Sequence, residues 1–168
     1  MIKNINFLFV TFFGIGTIRY APGTITSLIT TVLLYSLFHI INLSKAAILI
    51  ILIAVFLYSF LAVANYIKEN SNKDPKEVVI DEVIGQSIPI YLYEIAHGTN
   101  KDSKEAVLFY LYIFILFRFF DIKKPFPVNF FDRKFKNSFG VIMDDVVAGF
   151  YVVLTLIIFM VIKSKLFT

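Results

Sequence analysis

Long apolar runs separated by short polar connections dominate this chain, and their lengths divide it into membrane-sized pieces. The most apolar, AAILIILIAVFLYSFLAVANYI at 46–67, holds 22 residues without a charge. As a helix it would rise about 33 Å, enough to cross the hydrocarbon of a bilayer. ITSLITTVLLYSLFHIINL (25–43) precedes it across the tight NLSK connection, so the two read as an antiparallel hairpin. AVLFYLYIFILFRFFDI (106–122) and the run 141–162 read as two further crossings. VVIDEVIGQSIPIYLYEIA (78–96) is long enough but weaker, because Asp81, Glu82, Gln86 and Pro89 interrupt it. The 13 residues INFLFVTFFGIGT (5–17) are too few to cross as a helix and read as an interfacial or re-entrant element. RYAPGT follows with no small-residue cleavage pattern, so this segment is expected to stay with the chain. The predicted architecture is an all-α, polytopic transmembrane bundle of about five membrane helices plus a short N-terminal helix, a single domain over residues 1–168.

Composition sharpens this picture. Hydrophobic residues make up 58% of the chain, well above the level of a soluble domain, which identifies an integral membrane protein. The absence of cysteine excludes disulfides, thiolate metal sites and a cysteine nucleophile. A net charge of +4 is small for a nucleic-acid binder, and 20 Phe and nine Tyr without Trp suit lipid contact better than base stacking. No nucleic-acid partner is expected.

The charges sort by side. With 78–96 counted as a crossing, the segment before Thr24 and the loops 68–77 and 123–139 share one face. That face carries Arg19, Lys68, Lys73, Lys76, Arg118, Lys123, Lys124, Arg133, Lys134 and Lys136, against Lys45, Lys101, Lys104, Lys163 and Lys165 on the other. The positive-inside rule makes the first face cytoplasmic. The acids gather there too: Asp81 and Glu82 begin one crossing, Asp121 ends the next, Asp132 lies in the following loop, and Asp144 and Asp145 begin the last. Six carboxylates at one membrane rim repel one another unless cations neutralise them. Oxygen-rich clusters without His or Cys suit hard cations, Mg²⁺ above all, held by carboxylates together with water and substrate phosphate oxygens.

Basic groups at the same rim point to phosphate. Arg118 and Asp121 share a helix face at i and i+3, and Lys124 falls three further on, before KPFP stops the helix. Arg118, Lys124 and Arg133 are candidate partners for a phosphate ester. APGT at 21–24 opens the first crossing with Thr24 as the expected N-cap, and Gly23 and Thr24 would offer backbone N–H groups to an anion. His39 and His97 fall toward the opposite face, as interfacial or packed residues. Lys73, Asp74, Lys76 and Glu77 read as a mixed, solvated loop.

Four blocks, APGTITSL, VVIDEVIGQ, FRFFDIKKPFPVNFFDRK and GVIMDDVVAGF, stand in an order and spacing that resembles the phosphatidylglycerophosphatase A family. These bacterial membrane enzymes remove the terminal phosphate of phosphatidylglycerophosphate to give phosphatidylglycerol. The third block is similar to the family pattern F-R-x-x-D-x-x-K-P-x-P followed by F-D-R, met here by Arg118, Asp121, Lys124, Pro125, Pro127, Asp132 and Arg133. The resemblance implies a Mg²⁺-dependent lipid phosphatase of the cytoplasmic (inner) membrane, working in phosphatidylglycerol biosynthesis with its site facing the cytoplasm. It implies functional roles for Asp81, Glu82, Arg118, Asp121, Asp144 and Asp145. The chain departs from the family's Gly-Gly-x-Gly turn with NSFG at 137–140, keeping only Gly140.

The expected metal and catalytic set is therefore Asp81, Glu82, Asp121, Asp144 and Asp145, with Asp132 as a further ligand. Either a water with a carboxylate as general base or an aspartate could be the nucleophile. The D-G-x2-A-R-x8-G-x3-D-x3-D spacing of CDP-alcohol phosphotransferases is missing. So are a histidine motif for histidine-dependent lipid phosphatases and the D-x-D of haloacid-dehalogenase phosphatases. A small divalent-cation carrier could use the same acids, but carriers place such sites near the bilayer midplane and show internal repeats.

Overall fold

The computed structural model describes residues 2–69, 76–98, 103–135 and 137–166, apart from the side chains of residues 2, 3, 103, 132 and 133. Among the described residues every regular element is helical. The α-helices are α1 (Ile2–Val10), α2 (Pro22–Tyr35), α3 (Lys45–Glu69), α4 (Ile80–His97), α5 (Ser103–Lys123), α6 (Val128–Lys134) and α7 (Ser138–Leu166). Three stretches are long and apolar enough to cross a membrane by length and composition: Pro22–Ile40, Lys45–Glu69 and Ser138–Leu166. The expected count of five is not reached on that measure, because α4 carries Asp81, Glu82 and Glu94 and α5 carries Lys104, Glu105, Arg118, Asp121 and Lys123. The N-terminal segment forms the short α1, followed by a single 3₁₀ turn at Ile15–Thr17.

The weak hydropathy of α4 has a structural cause. α4 packs against α2, α3, α5 and α7, and its acids, Gln86 and Pro89 are shielded by protein rather than lipid. Ionisable groups inside a membrane protein are tolerated in such a central position. α3 is its opposite, with Leu49, Ile50, Ile53, Leu57 and Leu61 exposed along its length. One apolar core joins Leu34, Ile90, Ile113, Phe117 and Val152 of α2, α4, α5 and α7. A second joins Val10, Val63, Ile80, Ile84 and Ile142 of α1, α3, α4 and α7. α1 also holds the chain entering α4, since the Val79 N–H donates to Val10 O at 2.9 Å.

α4 and α7 meet with little side chain between them. A Cβ on Gly149 would lie 2.5 Å from Gly85 O, and one on Gly85 would lie 2.6 Å from Asp145 O. Pro89 has no N–H to bond the Gly85 carbonyl four residues back. That carbonyl is left to face α7, and only glycine at position 149 lets the backbone approach it.

α2 starts one turn earlier than expected. Ala21, at φ 46, is the N-cap and Pro22 the first helical residue, so Thr24 lies inside the first turn and does not cap. Proline at that position has φ preset and no N–H to leave unpaired. At its far end α2 opens into a π-helical turn, Ser36–Ile40, that carries His39 toward α4. His39 Nε2 lies 3.1 Å from Glu94 Oε1, and the Tyr110 hydroxyl donates to the same oxygen at 3.1 Å. Removing one of these partners would leave a buried polar group unsatisfied, at a cost of about 1–3 kcal/mol. His97 packs its ring on Tyr93, as expected of a histidine remote from the acids.

Candidate active site

At the end of the bundle opposite His39, the starts of α2, α4 and α7 and the end of α5 surround a cavity of about 420 Å³. Asp81 and Glu82 occupy the first turn of α4, where the helix dipole favours negative charge. Asp145 reaches them from α7. One oxygen from each of the three carboxylates lies within 4.8 Å of the other two. Adjacent positions on a helix point about 100° apart, so Asp144 takes a different partner. Its Oδ2 accepts from Lys124 Nζ at 2.6 Å, and its Oδ1 accepts the Asp145 N–H at 3.0 Å. Arg118 Nη1 pairs with Asp121 Oδ2 at 2.7 Å.

The structure thus brings Asp81, Glu82, Arg118, Asp121, Lys124, Asp144, Asp145, Gly23 and Thr24 to one cavity. Within it the acids divide. Asp121 and Asp144 are held by basic side chains, whereas Asp81 Oδ1 and Glu82 Oε2 are buried and make no hydrogen bond. The side chains of Asp132 and Arg133 lie outside the described residues, as do Lys73 and Asp74. Among the described residues, five carboxylates line this cavity against three basic side chains, Lys76, Arg118 and Lys124. An all-oxygen donor set with orphaned buried atoms suits a hard divalent cation, and Asp81, Glu82 and Asp145 are the residues placed to hold one.

Lys124 corrects the expected stripe of Arg118, Asp121 and Lys124. α5 ends at Lys123 and Lys124 takes φ 42, so its side chain leaves the helix face and crosses to Asp144. The loop expected to be merely solvated is also engaged: Lys76 lines the cavity, and Glu77 Oε2 accepts from the Tyr66 hydroxyl at 2.5 Å. Ser27, unremarked in the sequence, supports Arg118. Its Oγ accepts from Arg118 Nη1 at 3.4 Å and donates to Gly23 O at 2.9 Å. A serine one turn inside a helix start, facing an arginine-bearing helix, is the signal that could have found it.

Gly23 lines the site for a reason beyond its N–H. A Cβ there would overlap Glu82 Oε1 and lie 3.4 Å from Arg118 Nη1. The NSFG segment has a comparable explanation. Asn137 Oδ1 accepts the Gly140 N–H at 3.1 Å, capping α7, and a Cβ on Gly140 would overlap Phe135 O.

The profile of the family described as phosphatidylglycerophosphatase A matches residues 8–160. A phosphatidylglycerophosphatase A of Haemophilus influenzae is 36% identical over 145 residues, 84% of this chain and 80% of that protein. The Escherichia coli protein of the same name is 31% identical over 144 residues, 82% of this chain and 73% of that one. A Bacteroides thetaiotaomicron protein with the provisional description phosphatidylinositol-3-phosphatase is 32% identical over 144 residues, 83% of each chain. No solved structure matches. With the profile covering nearly the whole chain, this protein belongs to the phosphatidylglycerophosphatase A family and is a phosphatase.

Proposed function

We propose that the protein hydrolyses phosphatidylglycerophosphate to phosphatidylglycerol and inorganic phosphate, with Mg²⁺ held by Asp81, Glu82 and Asp145. The observation that carries this is the convergence of those three carboxylates beside Arg118 in one cavity at the helix ends. In this reading α4 and α5 complete five crossings and the cavity opens on the cytoplasmic side of the inner membrane, which the excess of basic residues on that face of the chain supports. The acyl chains of the substrate then stay in hydrocarbon while its phosphate enters at the rim.

Bound Mg²⁺ would supply Lewis acidity to the phosphoryl group. The chain's own residues do the rest. Arg118, anchored by Asp121 and Ser27, presents its remaining N–H groups to the phosphate. The first turn of α2 adds backbone donors at Gly23 and Thr24, which lack intrahelical partners. Lys76 and Lys124 offset phosphate charge. A carboxylate of the cluster takes a proton from the attacking water, and the departing glycerol oxygen leaves with a proton.

Phosphate release from phosphatidylglycerophosphate by purified protein, with Mg²⁺ and with EDTA, tests this directly. Activity should require the ion and should fall about 100-fold or more in Asp81→Asn and Asp145→Asn. Cation flux into liposomes without phosphate release would favour a carrier instead. The Bacteroides relative justifies a parallel assay on phosphatidylinositol 3-phosphate. Faster turnover there would reassign the substrate and leave the chemistry intact.

A further inference from the structure

Gln86 is 0% exposed, yet neither its Oε1 nor its Nε2 makes a hydrogen bond. A buried amide left in that condition is costly, and protein interiors satisfy such groups with ordered water or a ligand. Gln86 follows Glu82 by one helical turn, which sets their Cβ atoms about 5–6 Å apart. Helical side chains lean toward the N-terminus of their helix, so the amide leans back toward Glu82, whose Oε2 is also unpartnered.

α2 supplies the opposite wall. Its Ser27 and Thr31 hydroxyls donate to carbonyls four residues back, at 2.9 Å and 2.8 Å. Thr26 and Thr30, the residues immediately before each of them and equally buried, have hydroxyls with no partner. Thr30 borders a cavity of about 220 Å³ whose lining includes Ile80, Val83 and Ser87 of α4 beside apolar residues of α1 and α3. α2 and α4 run parallel, with Gly23 against Glu82 at one end and His39 against Glu94 at the other. Thr26 and Thr30 therefore face the stretch of α4 that carries Gln86.

We propose that Gln86 is a positioning residue for the carboxylate site: with Thr26 and Thr30 it holds ordered water between α2 and α4, and that water fixes the free oxygen of Glu82. The assignment rests on the reading of Glu82 as a metal-holding group. An amide, which donates and accepts, can satisfy both a carboxylate-facing water and a threonine hydroxyl. The two to four polar partners that a buried water needs are present in this one seam.

Mn²⁺ binding to purified, metal-free protein, followed together with thermal melting, tests the assignment in Gln86→Met and Gln86→Asn. The Met variant should bind Mn²⁺ 10–100-fold more weakly while melting no lower than the native protein, and the Asn variant, which keeps an amide, should recover part of the affinity. Native-like Mn²⁺ binding in Gln86→Met overturns the proposal, and so does equal weakening in both variants, the mark of a packing role. Native protein that binds no Mn²⁺ overturns both the metal assignment and the role of Gln86. Native protein that binds Mn²⁺ but releases no phosphate overturns the proposed reaction alone, since the variants' binding is read independently.

Discussion

Alanine at position 23 would set its methyl group on Glu82 Oε1. The helix itself would accept the change, because alanine is the better helix former, so the strain falls on the carboxylate. Gly23→Ala should leave the melting temperature within a few degrees of the native protein and lower phosphate release about tenfold or more. Equal activity in a kinetic assay of the two proteins would show that Glu82 has room to move. At this scale the sequence was legible where chemistry follows spacing: Arg118 and Asp121, at i and i+3, do pair. It was not legible where the backbone leaves its helix. Lys124 obeys the same spacing on paper, but φ 42 turns it toward Asp144 on another element. The division of labour between Asp144 and Asp145 likewise depends on which neighbours α7 faces, and adjacency alone cannot supply that.

Four elements were readable from the apolar runs, since 46–67, 78–96, 106–122 and 141–162 became α3, α4, α5 and α7 with ends within four residues of the expected ones. The run 5–17, by contrast, is α-helical only to Val10, and the run 25–43 leaves α-helix at Tyr35. Two features were not. α6, in the stretch read as a loop, is assembled around Phe130, Phe131, Phe135 and Phe139, whose rings meet only once the chain has turned. The α4–α7 crossing is the second. Gly85, Gly149 and Pro89 look like helix weakeners one at a time, and their purpose is apparent only when the freed Gly85 carbonyl is seen against Gly149. This crossing sets the separation between Asp81 and Glu82 on one helix and Asp145 on the other. Gly149→Ala must push the helices apart, an overpacking cost of about 1–3 kcal/mol. It should weaken metal binding more than an alanine placed on the exposed side of α7. Titrating Mn²⁺ into Gly149→Ala and Val161→Ala proteins makes the comparison, and equal affinities would remove the crossing from the account of the site.

For the molecule as a whole, the arrangement is a shielded helix, α4, that contributes Asp81 and Glu82 to a cluster completed from α5 and α7, with long apolar helices packed around it. That explains why hydropathy marked α3 and α7 strongly and α4 weakly: the scale measures suitability for lipid, and α4 is surrounded by protein. The N-terminal segment belongs to the same scheme. It has none of the acids, yet Val10 O receives the Val79 N–H, and a side chain on Gly16 would overlap Glu77 O. Gly16→Val should therefore reduce phosphate release severalfold by displacing the chain that leads into Asp81, a result to be read against its melting curve. An unaffected variant would uncouple the two ends. The N-terminal helix is in this sense a mooring for the reaction centre. Tags or truncations placed there would be felt at the phosphate, whereas the exposed last turns of α7 give an engineer a safer place to attach one.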